Sequence, residues 1–101
     1  MAETAAISES ELINLIAEKN VQGFELLYDT YASSLYTVTL AIIPDPQIAA
    51  NALEASFCKI WREFSKFDSD RMRLFTWMYQ ITRSTALDYH QTSFNHPVAA
   101  A

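Results

Sequence analysis

Six of the seven Lys and Arg residues of this sequence, Lys59, Arg62, Lys66, Arg71, Arg73 and Arg83, crowd into one stretch where only Glu63, Asp68 and Asp70 oppose them. Binding a phosphate backbone requires positive charge that displaces counterions, so such a cluster is the raw material of an anion-binding face. The chain as a whole carries a net charge of -5, with the acidity mainly upstream. That polarity lets one face meet an anion while the rest meets a basic protein or stays in water, although a charge asymmetry of this size is also common on ordinary solvated surfaces. The residues between the cations sharpen the picture. Winding the last helical segment at roughly 100° per residue puts Arg73, Thr76, Tyr79, Gln80, Arg83 and His90 on one side. Guanidinium groups there could hold phosphates while flat side chains stack on exposed bases, each stack contributing on the order of 1–3 kcal/mol. The same residues also suit a solvated helix face with one amphipathic Tyr, and taken alone they favour that reading.

Other chemistries find less support. Cys58, His90 and His96 are the only soft or imidazole ligands, and their spacing fits no zinc pattern. Cys58 lies one turn from core positions and is expected to be a buried thiol. The carboxylates are scattered rather than paired for acid–base work, and a chain with one Gly cannot build a Gly-rich phosphate loop. Catalysis, a metal, a cofactor and a small-molecule substrate are therefore not expected.

These residues must be positioned by helices. At 101 residues, 50% hydrophobic, with a single Gly, the sequence predicts one all-α domain, a compact bundle of about four helices that folds without staples. Ser8 and Glu11 have capping-box spacing ahead of Leu12, Ile13, Leu15 and Ile16, which predicts a first helix to about Glu18, ended by 20–23. Phe24, Leu27, Tyr28, Tyr31, Leu35, Val38 and Ile42 recur every three or four residues and predict a long second helix, stopped at Pro44 and Pro46. Leu53, Phe57, Ile60, Trp61 and Phe64 share one face of a third, which loses its period in the polar stretch 65–71. The fourth runs from about Arg73 to His90, with Leu74, Trp77, Met78, Ile81, Thr85 and Tyr89 as its core side. The domain is expected over 1–91, with 92–101 a frayed tail or truncated linker. The lone Cys, the absence of a basic-then-apolar start and the lack of an apolar run of about 20 residues point to the cytoplasm, away from membranes.

The order of these elements and their residues resembles the region 2 domain of the extracytoplasmic-function (ECF) sigma factors of the sigma-70 family. Gly23-Phe24-Glu25-Leu26-Leu27-Tyr28-Asp29-Thr30-Tyr31 with Leu35-Tyr36 is similar to that family's opening helix. Asp45-Pro46-Gln47 and Phe57-Cys58-Lys59-Ile60-Trp61 resemble the next. Phe67-Asp68 and Phe75-Thr76-Trp77-Met78-Tyr79-Gln80-Ile81-Thr82-Arg83-Ser84-Thr85-Ala86-Leu87-Asp88-Tyr89 resemble the loop and helix that open the promoter. The likeness covers about residues 10 to 91.

The resemblance implies docking on a coiled-coil helix pair of the largest core RNA polymerase subunit and capture of bases flipped out of the minus-ten promoter element. Unstacking a base costs a few kcal/mol, so such a protein must offer a pocket and stacking surfaces. By position, the loop 68–74, including Asp68, with Phe75 forms the pocket wall, and Ser84 stands where many members have an Asn that contacts the opened strand. Arg71, Arg73 and Arg83 hold phosphates, Lys66, Tyr79 and Gln80 complete the DNA face, and Trp77 is structural. Gln47, Ile48, Asn51, Glu54, Ala55 and Lys59 are the candidates for polymerase or partner binding. The sequence departs from the family there: only Glu54 keeps a charge over 47–55, and Ile48, Ala52 and Ala55 form an apolar strip that could suit another partner. The last helix ends in Tyr89-His90-Gln91-Thr92 instead of a basic cluster, and the domain that reads the minus-thirty-five element is absent, as in a fragment or a short regulator. Two functions follow. One is an initiation-factor domain that binds core polymerase and melts the minus-ten element. The other is a sigma-like interaction module that pairs with an anti-sigma or sigma factor and no longer binds DNA.

Overall fold

The computed structural model describes residues 7–95, and side chains through Thr92. Among them the chain forms α1 (Glu9–Ala17), α2 (Val21–Ile42), α3 (Pro46–Arg62), a short 3-10 turn (Phe64–Lys66) and α4 (Leu74–Asn95). The starts of α1, α2 and α3 each have a local cause. The Ser8 hydroxyl accepts the Glu11 N–H at 3.1 Å while the Glu11 carboxylate accepts the Ser8 N–H at 3.0 Å, a complete capping box. The Asn20 side chain caps α2 by accepting the Gly23 N–H at 2.8 Å. Asp45 caps α3 through the N–H groups of Gln47 and Ile48, with Pro46 in the first turn, where its missing N–H costs nothing.

The corner between α1 and α2 is tight. Asn20 N–H donates to the Leu15 carbonyl and Lys19 N–H to the Ile16 carbonyl, the two bonds of a Schellman turn, and Lys19 takes the left-handed φ of 60° that this turn demands. Its side chain then reaches α3, where the ammonium donates to the Trp61 carbonyl and lies 4.6 Å from the Trp61 ring centre. Gly23 is buried against α1, and a Cβ built there would lie 2.6 Å from the Leu15 Cβ. Only glycine lets the two helices approach so closely.

The main core gathers Leu12 and Ile16 of α1, Leu27 and Leu35 of α2, Leu53, Phe57 and Ile60 of α3, and Leu74 and Met78 of α4, with Phe64 of the 3-10 turn. Burying each such side chain contributes about 1.5–3 kcal/mol before entropy is counted. A smaller cluster of Ile43, Ala49, Ala52 and Ala86 lets α3 and α4 approach through small residues. Trp77 ties the start of α4 to the turn before it, edge-on to Phe64 at 5.6 Å and tilted against Phe67 at 5.3 Å. That is the structural place the sequence predicts for it.

Several expectations need correction. α4 continues to Asn95, past the expected end at His90 and through the first residues of the expected tail. No Gly or Pro interrupts the sequence before Pro97, so nothing local ends the helix sooner. Residues 96–101 of that tail lie outside the described residues. Gly23 sits inside α2 rather than in the preceding break, because Asn20 has already capped the helix. Tyr89, expected in the core, is 36% exposed, while Thr82 and Ala86 take the inward positions. Cys58 is exposed, since Phe57 and Ile60 occupy the buried side of α3 and Cys58 turns the other way.

Candidate nucleic-acid interface

The α4 spacing that sends Leu74, Met78, Thr82, Thr85 and Ala86 inward, with Trp77 and Ile81 half-buried beside them, leaves the opposite side of the helix to solvent. Arg73, Phe75, Thr76, Tyr79, Gln80, Arg83, Ser84 and His90 are all exposed. Tyr79, Gln80, Arg83 and Ser84, four of the residues that sequence reasoning assigns to DNA, come together with Leu87 and Asp88 around a groove of about 520 Å³. The groove offers an aromatic ring, an amide, a guanidinium and a hydroxyl, which suit stacking, base-edge hydrogen bonding and phosphate contact respectively. Asp88 at its end is unfavourable to phosphate, so any strand must pass nearer Arg83.

A second group sits where α4 begins. Phe75, 37% exposed, faces Tyr79, 38% exposed, with ring centres 6.4 Å apart and planes inclined at 33°. Phe75 also meets Tyr31 of α2 at 5.9 Å and 36°. Burial, and after it the Glu9 carboxylate, hold the Tyr31 phenol above its ordinary pKa. The sequence places Tyr31 in the apolar stripe of α2 and offers no sign that a ring on another helix would meet Phe75.

The loop before α4 is held by its own backbone. The Asp68 carboxylate accepts the Asp70 N–H at 2.9 Å, and the Asp68 carbonyl accepts the N–H groups of Arg71 at 3.0 Å and Met72 at 3.3 Å. Asp68 thus shapes the turn that carries Arg71, which is exposed, as is Lys66 just before it.

The proposed partner face on α3 divides differently. Gln47, Asn51 and Glu54 are exposed on one ridge, with the Gln47 amide donating to the Asn51 side chain at 3.2 Å. Lys59 and Ala55 are half-buried. The apolar strip is only partly open: Ala52 is fully buried, Ala55 and Ile48 are half-buried, and Ile48 packs on the small cluster with Ala49 and Ala86. Counting apolar residues on α3 could not reveal that Ala52 lies inside. Among the described residues no three His, Cys, Asp or Glu side chains gather as metal ligands would, and no helix is long and apolar enough to cross a membrane.

The four-helix arrangement and the sequence that builds it define a class: this chain belongs to the Sigma-70 region 2 family, which residues 27–93 match. Its similarity to individual proteins is weaker. It is 23% identical over 77 residues to the ECF RNA polymerase sigma factor SigK of Mycobacterium sp. (strain KMS) and to the protein of the same name in strain JLS. The RNA polymerase sigma factor SigK of strain MCS gives the same figures, 76% of this chain and 40% of the relative. The chain therefore spans about two-fifths of the length of these curated relatives. No solved structure matches it.

Proposed function

We propose that this chain is the part of a transcription initiation factor that docks on core RNA polymerase and holds the opened strand of a minus-ten promoter element, acting by binding and without catalysis of its own. The observation that carries the reading is the outward face of α4, where Phe75, Tyr79, Gln80, Arg83 and Ser84 stand exposed in a chain of the Sigma-70 region 2 family. Unstacked bases need rings and hydrogen-bonding groups that are accessible at once, and this face supplies both. The exposed ridge of Gln47, Asn51 and Glu54 on α3 is the proposed polymerase contact, and an anti-sigma factor would compete for it. Such a protein works in the cytoplasm.

The test is fluorescence anisotropy of a single-stranded minus-ten-like oligonucleotide at two salt concentrations, with and without core polymerase. Salt-sensitive binding that tightens with polymerase is the expected result. Replacing Arg71, Arg73 and Arg83 together by Ala should weaken it and lower the salt slope by about 0.7 for each phosphate left without its cation. Binding that ignores the triple substitution would overturn the assignment of these residues. The competing reading, a regulator of the same fold that no longer binds DNA, draws on the neutral character of the α3 ridge. It predicts no oligonucleotide binding in either condition.

A further inference from the structure

We infer that Tyr31 of α2 is a third base-stacking residue, which extends the α4 face into a three-ring site for unstacked single-stranded nucleic acid. This rests on the DNA-holding function proposed above and adds to it a residue from a different helix.

Phe75 meets both other rings, Tyr31 with ring centres 5.9 Å apart and Tyr79 with ring centres 6.4 Å apart. Those spacings approach twice the roughly 3.4 Å rise between bases stacked in a strand. Bases that meet successive rings are therefore parted from one another, and each ring takes one base. Each pair of planes is inclined, at 36° and 33°, so neither pair is a flat stack. Charge favours the same occupant at the α4 rings, whereas the Glu9 carboxylate lies toward Tyr31, so the phosphates pass on the α4 side of that ring. Arg83 follows Tyr79 by one turn on the same face, and Arg71 and Arg73 precede Phe75, so cations flank the two α4 rings. Phe75 and Tyr79 are more than a third exposed, and Tyr31 is half-buried, packed on the core yet partly open to solvent.

The experiment uses the full chain, with core polymerase, and a set of fluorescent oligonucleotides each carrying one abasic position. Tyr31→Leu should bind the intact oligonucleotide roughly 5- to 100-fold more weakly, the range for loss of one stacked base. On the oligonucleotide lacking the base that Tyr31 holds, the substitution should have no further effect, because nothing is left to unstack. Tyr31→Phe should bind like wild type throughout. If Tyr31→Leu fails to fold, Tyr31→Met, whose flexible chain fills the gap, serves the same test. An equal loss on every oligonucleotide would mean that Tyr31 acts through the fold alone, and no loss on any would mean that it does not touch the strand; either overturns the inference while leaving the α4 site intact. A wild-type chain that binds no oligonucleotide would bring down the proposed function itself, and this inference with it.

Discussion

Among the described residues, two hydroxyls in the middle of the bundle are buried without a hydrogen-bond partner, those of Thr82 and Thr85. The other buried hydroxyls bond within their own helices, Thr39 to the Tyr36 carbonyl at 3.0 Å and Ser56 to the Ala52 carbonyl at 2.7 Å. An unsatisfied buried hydroxyl costs about 1–3 kcal/mol, so replacing it by an apolar group of the same shape should help. Thr82→Val is accordingly expected to stabilise the domain by about 1 kcal/mol in a urea titration; a lower midpoint would show that the hydroxyl has a partner after all. Tyr31 makes a prediction of the opposite kind. Its raised pKa means that the folded state favours the protonated phenol. Stability from this source is complete below the unfolded value, ordinarily about 10, and drains away as pH rises through the higher folded value. Tyr31→Phe should remove that component of alkaline unfolding, and an unaltered alkaline limb in a thermal-melt series would contradict it. The outward residues of α4 are legible in the sequence because helical period alone assigns them. Cys58 is misplaced by the same kind of reasoning: one turn from a core residue is not the same direction as the core.

Among the elements, the α1–α2 corner depends most on single residues. Gly23→Ala gains about 1 kcal/mol of helix propensity. It also drives a methyl into the Leu15 Cβ, which cannot swing away as the end of a flexible side chain could. Overpacking of this kind typically costs about 1–3 kcal/mol, so a net loss is expected, visible as a lower Tm. Lys19 holds two opposing contributions. Its left-handed backbone costs roughly 1–2 kcal/mol relative to glycine, while its ammonium satisfies the Trp61 carbonyl near the end of α3. Lys19→Ala keeps the strain but removes the ammonium, whereas Lys19→Gly removes both, so Ala should be the less stable variant by differential scanning calorimetry. The reverse order would show that the backbone is not strained. The start of α1 is readable because Ser8 and Glu11 have capping-box spacing, whereas Asn20 and Asp45 read as breaks in the sequence and prove also to cap the helices that follow. The end of α4 is not, since a run of polar residues weakens the apolar period without breaking a helix. The 3-10 turn after α3 is likewise hidden, because Phe64 keeps the core period of α3 while the backbone has already changed its winding.

For the molecule as a whole, the family and the bundle can be read from spaced aromatics, but the site can be read only on one helix at a time. Tyr31 and Phe75 are far apart in sequence, and they meet only because α2 and α4 pack side by side. The α3 strip is misread in the mirror-image way, for Ala52 at its middle lies inside the bundle in the cluster that holds Ala86 of α4. Cys58 has a use that follows from its place. It is the one thiol of the chain, exposed on α3 and one turn beyond Glu54 along the ridge that begins at Gln47. An environment-sensitive maleimide dye would attach there and nowhere else. A protein settling on the α3 ridge would then announce itself as a shift in emission colour, while an oligonucleotide held on α4 would leave the dye's surroundings unchanged. One labelled sample could thus sort the two kinds of partner by wavelength.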